Sequence, residues 1–445
     1  EDEIPFEVPE GWAWCKLNDI YNFIDYRGAT PTKITNGIPL VTAKNVKSGY
    51  IDYTIDDYIS EEEFKERQQR GISKKGDILF TTEAPLGNAA LADMEKFSAG
   101  QRLITFQQYG SKNELINYVM LMFILSDFFQ QQLYVNKTGS TVAGIKAAIL
   151  KTLWIPVPPY NEQLRISNTL KSAINLIDSI SKNKEILSTS ISNTKSKILD
   201  LAIRGKLVPQ DPNDEPASVL LERISAEKEE LIKQGKIKRD KKESVIFKGD
   251  DNSYYLRTGR VEESLEDWRF DDLPETWKIC CLGELCDYGD CINVNTEDIA
   301  EDAWILDLED IEKDTGTVLK KVTKDQRNSV STKHKFHSGQ VLYSKLRPYL
   351  NKVVLSDADG YCTSEILPLE FKNCVLPEYA RYYLMSGTFI AYANHCSYGV
   401  KMPRLGTTDG KKAIFSLPPL SEQKRIVETI DFCFVQLNKI SEALA

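Results

Sequence analysis

One set of landmarks occurs twice in this chain, in the same order and at a shift of about 260 residues. Val8-Pro9-Glu10-Gly11-Trp12, then Leu17-Asn18-Asp19-Ile20, returns as Leu273-Pro274-Glu275-Thr276-Trp277, then Leu282-Gly283-Glu284-Leu285. Lys75-Gly76-Asp77-Ile78-Leu79-Phe80 is answered by Ser338-Gly339-Gln340-Val341-Leu342-Tyr343, and Pro85 and Asn88 by Pro348 and Asn351. Pro158-Pro159-Tyr160-Asn161-Glu162-Gln163-Leu164-Arg165-Ile166 returns as Pro418-Pro419-Leu420-Ser421-Glu422-Gln423-Lys424-Arg425-Ile426. A solenoid repeat is far shorter, so this spacing describes a duplicated domain with a core in each copy. Between the landmarks the two halves differ almost throughout. A shared frame with divergent filling implies two copies of one device that address different targets.

At 445 residues, 42% hydrophobic and 27% charged, the chain has enough apolar material for two cores and connecting elements. No apolar run is long enough to span a bilayer, and Glu1-Asp2-Glu3 does not open a signal peptide, so no membrane partner is expected. Nine cysteines, an odd count at irregular spacing, point to reduced thiols in a cytoplasm. The tightest group, Cys280, Cys281, Cys286 and Cys291, lacks a CxxC pair, and His334, His337 and His395 lie well downstream; no metal site is expected. The net charge of −9 and pI near 5.3 argue against indiscriminate coating of nucleic acid. Selective DNA binding then needs basic residues gathered on one surface, or partners that share the phosphate contacts.

The order of elements predicts a mixed module over 1–158, a helical spacer over 159–235, a charged linker over 236–268, a second mixed module over 269–418 and a shorter or cut terminal helix over 419–445. Gly37–Thr42 and Asp77–Thr81 read as strands between Gly and Asn turns, and Leu115–Leu133 as one helix by its length. Tyr379–Met385 takes the equivalent helical place in the second module. With Leu170 as position a, the a and d sites are Leu170, Ala173, Ile177, Ile180, Lys184, Leu187, Ile191, Thr194, Ile198 and Leu201, and eight of these ten are apolar, as a coiled-coil seam requires. No Pro or Gly interrupts Glu162–Leu201, a helix of roughly 60 Å at 1.5 Å per residue. Gly205 ends it, with Pro209 and Pro212 behind. A second helix runs from Pro216 to Gly235. The seam recurs as Ile430, Cys433, Leu437, Ile440 and Leu444, and an antiparallel pairing of the two seams would hold the modules at opposite ends.

Val157-Pro158-Pro159-Tyr160 resembles the (Asp/Asn/Ser)-Pro-Pro-aromatic motif of DNA amino-methyltransferases, but Val157 replaces the polar residue that holds the amine. The second copy, Leu417-Pro418-Pro419-Leu420, loses the aromatic as well, and no GxG loop for a methyl donor exists anywhere. A stand-alone adenine methyltransferase using this motif is therefore the alternative reading, and a purely structural coiled-coil scaffold a third. The prolines are expected to stiffen the module exit and block a helix until the seam begins. Glu162, Gln163 and Arg165, with Glu422, Gln423 and Arg425, repeat polar residues that the seam does not need, and mark a docking surface for a partner. Lys345, Arg347, Tyr349 and Asn351 follow a strand and combine phosphate contacts with base-edge donors. Their counterparts Thr82 and Asn88, together with Lys44, Asn45, Lys401 and Arg404, complete the expected DNA-binding set. No nucleophile with a neighbouring base and no phosphate-cradling loop is legible, so no catalytic residue is assigned. The chain reads as a binder.

The paired modules, the PP-x-x-EQ-x-RI motif after each, the Pro-Glu-x-Trp entries, the seam helices and Leu201-Ala202-Ile203-Arg204-Gly205-Lys206-Leu207-Val208-Pro209-Gln210 resemble the specificity subunit of type I restriction–modification systems, over nearly the whole chain. The resemblance implies an α+β fold with pseudo-twofold duplication: two mixed α/β target-recognition domains joined by long antiparallel coiled-coil helices. It implies a non-catalytic subunit that recognises a bipartite, asymmetric site on double-stranded DNA and docks two methyltransferase subunits, joined by restriction and motor subunits. Catalysis would then reside in those partner chains of a bacterial or archaeal cytoplasm. S-adenosylmethionine would be held by the methyltransferase partner, and no cofactor by this chain.

Overall fold

The structure is a computed structural model that describes residues 5–54, 57–109, 115–139, 143–236, 244–251, 253–265, 272–327 and 330–444. Two units divide the chain, Glu1–Lys182 and Asn183–Ala445. In the first, Ala13–Lys16 pairs antiparallel with Trp154–Val157, so the entry and exit of the module close on one another. Between them a four-stranded antiparallel sheet runs in the order Tyr21–Asp25, Leu103–Gln108, Ile78–Thr82, Leu86–Leu91. A smaller sheet places Ile38–Val41 between Tyr58–Ile59 and, in parallel, Ser98–Ala99. One face of the larger sheet buries Tyr21, Ile78, Phe80, Ile104 and Phe106 against the Asn117–Ile124 and Asp127–Val135 helices, through Met120, Ile124, Phe129 and Leu133.

The second unit repeats the plan. Lys278–Cys281 pairs with Ile414–Leu417, and Val341–Ser344 lies between Val353–Leu355 and Ile366–Leu369. Pro377–Leu384 and Gly387–His395 take the places of the two helices in the first unit. A five-stranded sheet (Ile292–Val294, Lys333–Phe336, Gly360–Thr363, Trp304–Leu306, Val322–Thr323) stands where the first unit has its three-stranded one. Cys280, Cys281 and Cys286 are core residues whose thiols burial pushes up, and no metal-binding group of His, Cys, Asp and Glu occurs among the described residues. Nor is any described helix long and apolar enough to cross a membrane.

Two sequence expectations need correction here. The apolar stretch 115–133 is two helices, because Ser126 turns extended (φ −69°, ψ 153°) and its Oγ accepts from Phe129 N. Ser386 makes the same break in the second unit, with Phe389 N. The expected linker 236–268 contains an antiparallel sheet of Ser244–Lys248, Tyr254–Thr258 and Val261–Ser264. Ile246 and Leu256, opposite one another on its first two strands, pack on Ile279, Cys281 and Ile414, one buried residue per strand among half-buried and exposed neighbours. Residues 237–243, the most basic part of that linker, lie outside the described residues.

The spacer helix runs Tyr160–Ala202 and is followed by Ala217–Lys233, with Leu420–Leu444 after the second module. Gln163 and Ser167 are buried at its start, and burial then resumes only at Ile191. From there the buried stripe follows Ile191, Leu199, Ala202 and Ile203, while the seam positions Ile177, Ile180, Leu187 and Thr194 are exposed. Leu199, Ala202 and Ile203 share a core with Ile426 and Ile430, Lys195 Nζ donates to Asn438 Oδ1 (2.6 Å), and Ser416 Oγ donates to Ile203 O (2.7 Å). Rising numbers on one helix meet falling numbers on the other, so this stretch pairs antiparallel. The stripe shifts off the seam because the end of the helix also plugs into the module's core beside Trp277 and Leu282. At the helix end, Gly205 (φ +66°) has no room for a Cβ, which would lie 2.4 Å from Pro274 Cγ. The Leu-Ala-Ile-Arg-Gly-Lys stretch is thus fitted to the Pro-Glu-x-Trp entry of the second module.

Candidate nucleic-acid interface

In the first module the strand Ile78–Thr82 runs out of the sheet into the turn that carries Pro85. Thr82 N donates to Arg102 O (2.9 Å), and Thr82 O accepts from Ile145 N (3.0 Å). Gly144 exchanges both backbone hydrogen bonds with Thr138 and bridges to Glu83. Arg27, Thr82, Glu83, Thr138, Gly144 and Lys146 line a hollow of about 350 Å³ at this junction. Arg27 is held by Asp25 (2.6 Å), and Arg102 Nε lies 3.0 Å from Glu83 Oε1. Burial acts to raise the Asp25 carboxyl, but the hydrogen bonds and charge of Arg27 more than offset it and hold the group below its ordinary value.

The second module builds the same junction. Lys345 N donates to Glu365 O (3.0 Å), Lys345 O accepts from Leu405 N (3.0 Å), and Arg404 exchanges both backbone bonds with Tyr398 and bridges to Leu346. Arg347 (φ +50°) and Asn351 (φ +49°) flank a tight turn at Pro348–Leu350, and Arg347 N donates to Pro403 O (2.7 Å). This brings the 345–351 and 398–404 segments, distant in sequence, onto one rim. Lys345 and Arg347 are half-buried there, while Tyr349 and Lys401 are exposed.

Several residues expected to contact DNA face inward or are already paired. Thr82 is 1% exposed, and its hydroxyl donates to Arg102 O (3.2 Å). Asn45 accepts from Thr42 N and Oγ1 (2.9 Å each) and donates to Asp52 O (2.9 Å), which locks its own turn. Asn88 Nδ2 ties its strand to Val46 O (3.0 Å), and buried Asn351 donates to Met385 O (3.3 Å). Arg404 is an ion pair, with Nε and Nη2 both on the Glu365 carboxylate (2.8–3.1 Å). Lys44, Lys345, Arg347, Tyr349 and Lys401 remain open to a ligand, and so does the outer edge of Arg404, whose side chain is 32% exposed. Sequence reasoning passed over Arg27, Glu83, Arg102, Lys146 and Glu365; a residue-by-residue overlay of the two halves at the repeated Pro and Asn would have marked positions 83 and 102.

The docking set also needs correction. Gln163 Oε1 accepts from Ile116 N (2.7 Å) and its Nε2 donates to Pro158 O (2.9 Å). Gln423 does the same with Leu376 N (2.8 Å), Pro418 O (3.0 Å) and Cys374 O (2.9 Å). Each glutamine clamps the double-proline exit to the module, so the Pro-Pro motif is a structural joint. Glu422, fully buried, accepts from Trp277 Nε1 (2.8 Å) and from Gln210, and Arg425 pairs with Asp214 (2.6 Å). These fasten the 210–214 strap to the second module. Glu162 is half-buried and Arg165 exposed, and neither side chain has a partner among the described residues.

Residues 9–188 and 274–443 match the family described as "Type I restriction modification DNA specificity domain". The specificity subunit of the type I restriction enzyme EcoAI from Escherichia coli is 26% identical, in an alignment covering 99% of this chain and 80% of that protein. The EcoEI specificity subunit from the same organism is 25% identical, with 100% and 81% covered. Among solved structures, the HsdS subunit from Thermoanaerobacter tengcongensis shares the fold at a TM-score of 0.53 and 16% identity, covering 100% of this chain and 94% of that one. A structure described as the basis of complex assembly and conformational transition of the type I R-M system gives a TM-score of 0.58, also at 16% identity, over 99% of this chain and 94% of the other.

Proposed function

The chain belongs to the type I restriction–modification DNA specificity family, and its role is to give such a system its DNA sequence specificity; on that premise we propose that the two modules read the two halves of a bipartite, asymmetric site. One observation carries this reading: both modules dock the segment after a central strand onto a second loop by the same backbone bonds, then fill the junction with different side chains. The frame fixes where the duplex is met, and the filling fixes which bases are accepted. The first module presents Arg27, Glu83 and Lys146, and the second Lys345, Arg347, Tyr349, Lys401 and Arg404.

The spacer helices dock two methyltransferase subunits, with restriction and motor subunits joining for cleavage. Methyl transfer from S-adenosylmethionine takes place in the methyltransferase partner, in the cytoplasm of the bacterial or archaeal host. Glu162, Arg165 and the exposed apolar residues Leu176, Ile177 and Ile180 are the docking residues that the fold leaves free. The test is a module exchange: replacing 9–158 with the module of a relative of different specificity, then mapping methylated adenines in cells that carry the matching methyltransferase. One half of the recognised sequence should change and the other persist; a change in both, or in neither, would overturn the division of labour.

A further inference from the structure

Three backbone segments meet at the same place in each module. In the first they bring together Glu83, Arg102 and Gly144; in the second, Leu346, Glu365 and Arg404. The backbone pairing is shared and the chemistry is rearranged. An acid stands at 83 and a base at 102, whereas the second module has an apolar residue at 346, an acid at 365 and a base at 404. Gly144 contributes no side chain, which leaves the 350 Å³ hollow open beside the Glu83 carboxylate. A Cβ on Gly144 would meet Thr82 O at 3.4 Å and Glu83 Oε2 at 3.7 Å, both ordinary contacts, so the hollow has room for a larger residue.

At the equivalent position Arg404 is held in one orientation. Its Nε and Nη2 grip Glu365, and Nη1 gives one hydrogen to Met402 O (3.3 Å). Five guanidinium hydrogens less these three leave one on Nη1 and one on Nη2, which form a parallel pair along the outer end of the group when Met402 O takes the Nη1 hydrogen on the Cδ side. Such a pre-aligned fork matches the O6 and N7 acceptors of guanine in the major groove. Glu83 offers the opposite chemistry. With Oε1 engaged by Arg102, Oε2 faces the hollow and can only accept, as the N4 amine of cytosine requires.

We propose that this three-way junction sets one base of each half-site, Arg404 reading a guanine in the second half and Glu83 a cytosine in the first, with Glu365 and Arg102 as positioning residues. The proposal rests on the reading that each module contacts its own half-site. The test uses the full chain assembled with its methyltransferase partner, and duplexes varied one base at a time across both halves. Arg404→Lys keeps the charge and loses the fork; it should cut discrimination for guanine at one position of the second half by about ten- to a hundredfold and leave the first half unaltered. Glu83→Gln should relax one cytosine in the first half only. Gly144→Arg, which the hollow admits, should abolish that cytosine preference while the melting temperature holds. Wild-type preference at every position in all three variants would overturn the proposal, as would a change in the wrong half. If a module exchange moves a half-site while these variants do not, the junction alone is at fault; if the exchange moves nothing, the two-reader assignment itself fails.

Discussion

Glu162 and Glu422 occupy the same place in one motif and live in different worlds. The second is enclosed, accepting from Trp277 and Gln210, while the first has no partner among the described residues. Burial raises the Glu422 carboxyl, and the Trp277 and Gln210 hydrogen bonds only partly oppose it. The folded protein then holds that proton more tightly than the unfolded chain. The stabilisation Glu422 gives is complete below the ordinary carboxylate value and declines as pH rises through the raised one. Near pH 4, Glu422→Ala should cost about 1–3 kcal/mol, because it strands the buried indole N–H of Trp277. The gap to wild type should narrow with rising pH, whereas Glu162→Ala should stay within about 0.5 kcal/mol throughout. Urea unfolding of the full chain at several pH values measures both. The motif was plain in the sequence, but its division into buried and free copies was not, since burial of Glu422 depends on a strap that arrives from 210–214.

At the scale of elements, hydrophobic periodicity located the long helix to within two residues at its start and one at its end, because uninterrupted helix formers and a glycine stop are local signals. Which residues of that helix are covered was not legible, since coverage is set by the partner. Leu199 packs against Ile426 and Ile430, and Ile177 and Ile180 pack against nothing described. Leu199→Ala should therefore destabilise by about 2–5 kcal/mol. Ile177→Asp with Ile180→Asp should leave the melting temperature within a few degrees. If this exposed stripe is where a methyltransferase subunit sits, the pair should weaken assembly at least about tenfold, because two charges would be desolvated in the interface. Analytical ultracentrifugation of mixtures with the methyltransferase subunit reads that directly; full assembly of the double variant would remove the stripe from the docking surface. The 244–264 sheet teaches the complementary lesson. Its core contribution is one buried residue in each of the first two strands, Ile246 and Leu256, and none in the third, and Lys248, Arg257, Glu262 and Glu263 around them give the segment the composition of a solvated linker.

For the molecule as a whole, the charge ledger constrains how DNA is held. Sixty-five acidic residues outnumber 56 basic ones, so no general attraction to phosphate is available and basic groups count individually. Many of those near the junctions are committed: Arg27 to Asp25, Arg102 to Glu83, Arg404 to Glu365. Lys44 and Lys401 are exposed and have no ion-pair partner among the described residues, which makes them phosphate contacts in this reading, distinct from base readers. The two roles separate experimentally. A lost phosphate contact weakens binding equally for every sequence and lowers the salt dependence by about one unit in slope, because one fewer counterion is released. Lys44→Ala with Lys401→Ala should thus reduce the slope of log K against log salt by about two, with base preference intact in both halves. Arg404→Lys should do the reverse, altering preference with little change in slope. Titrations of the methyltransferase-bound protein by fluorescence anisotropy, between about 50 and 200 mM salt, resolve the difference. If the two lysine changes instead shifted which base is preferred, readout would extend to the rims of the loops and the junctions would not be the sole readers.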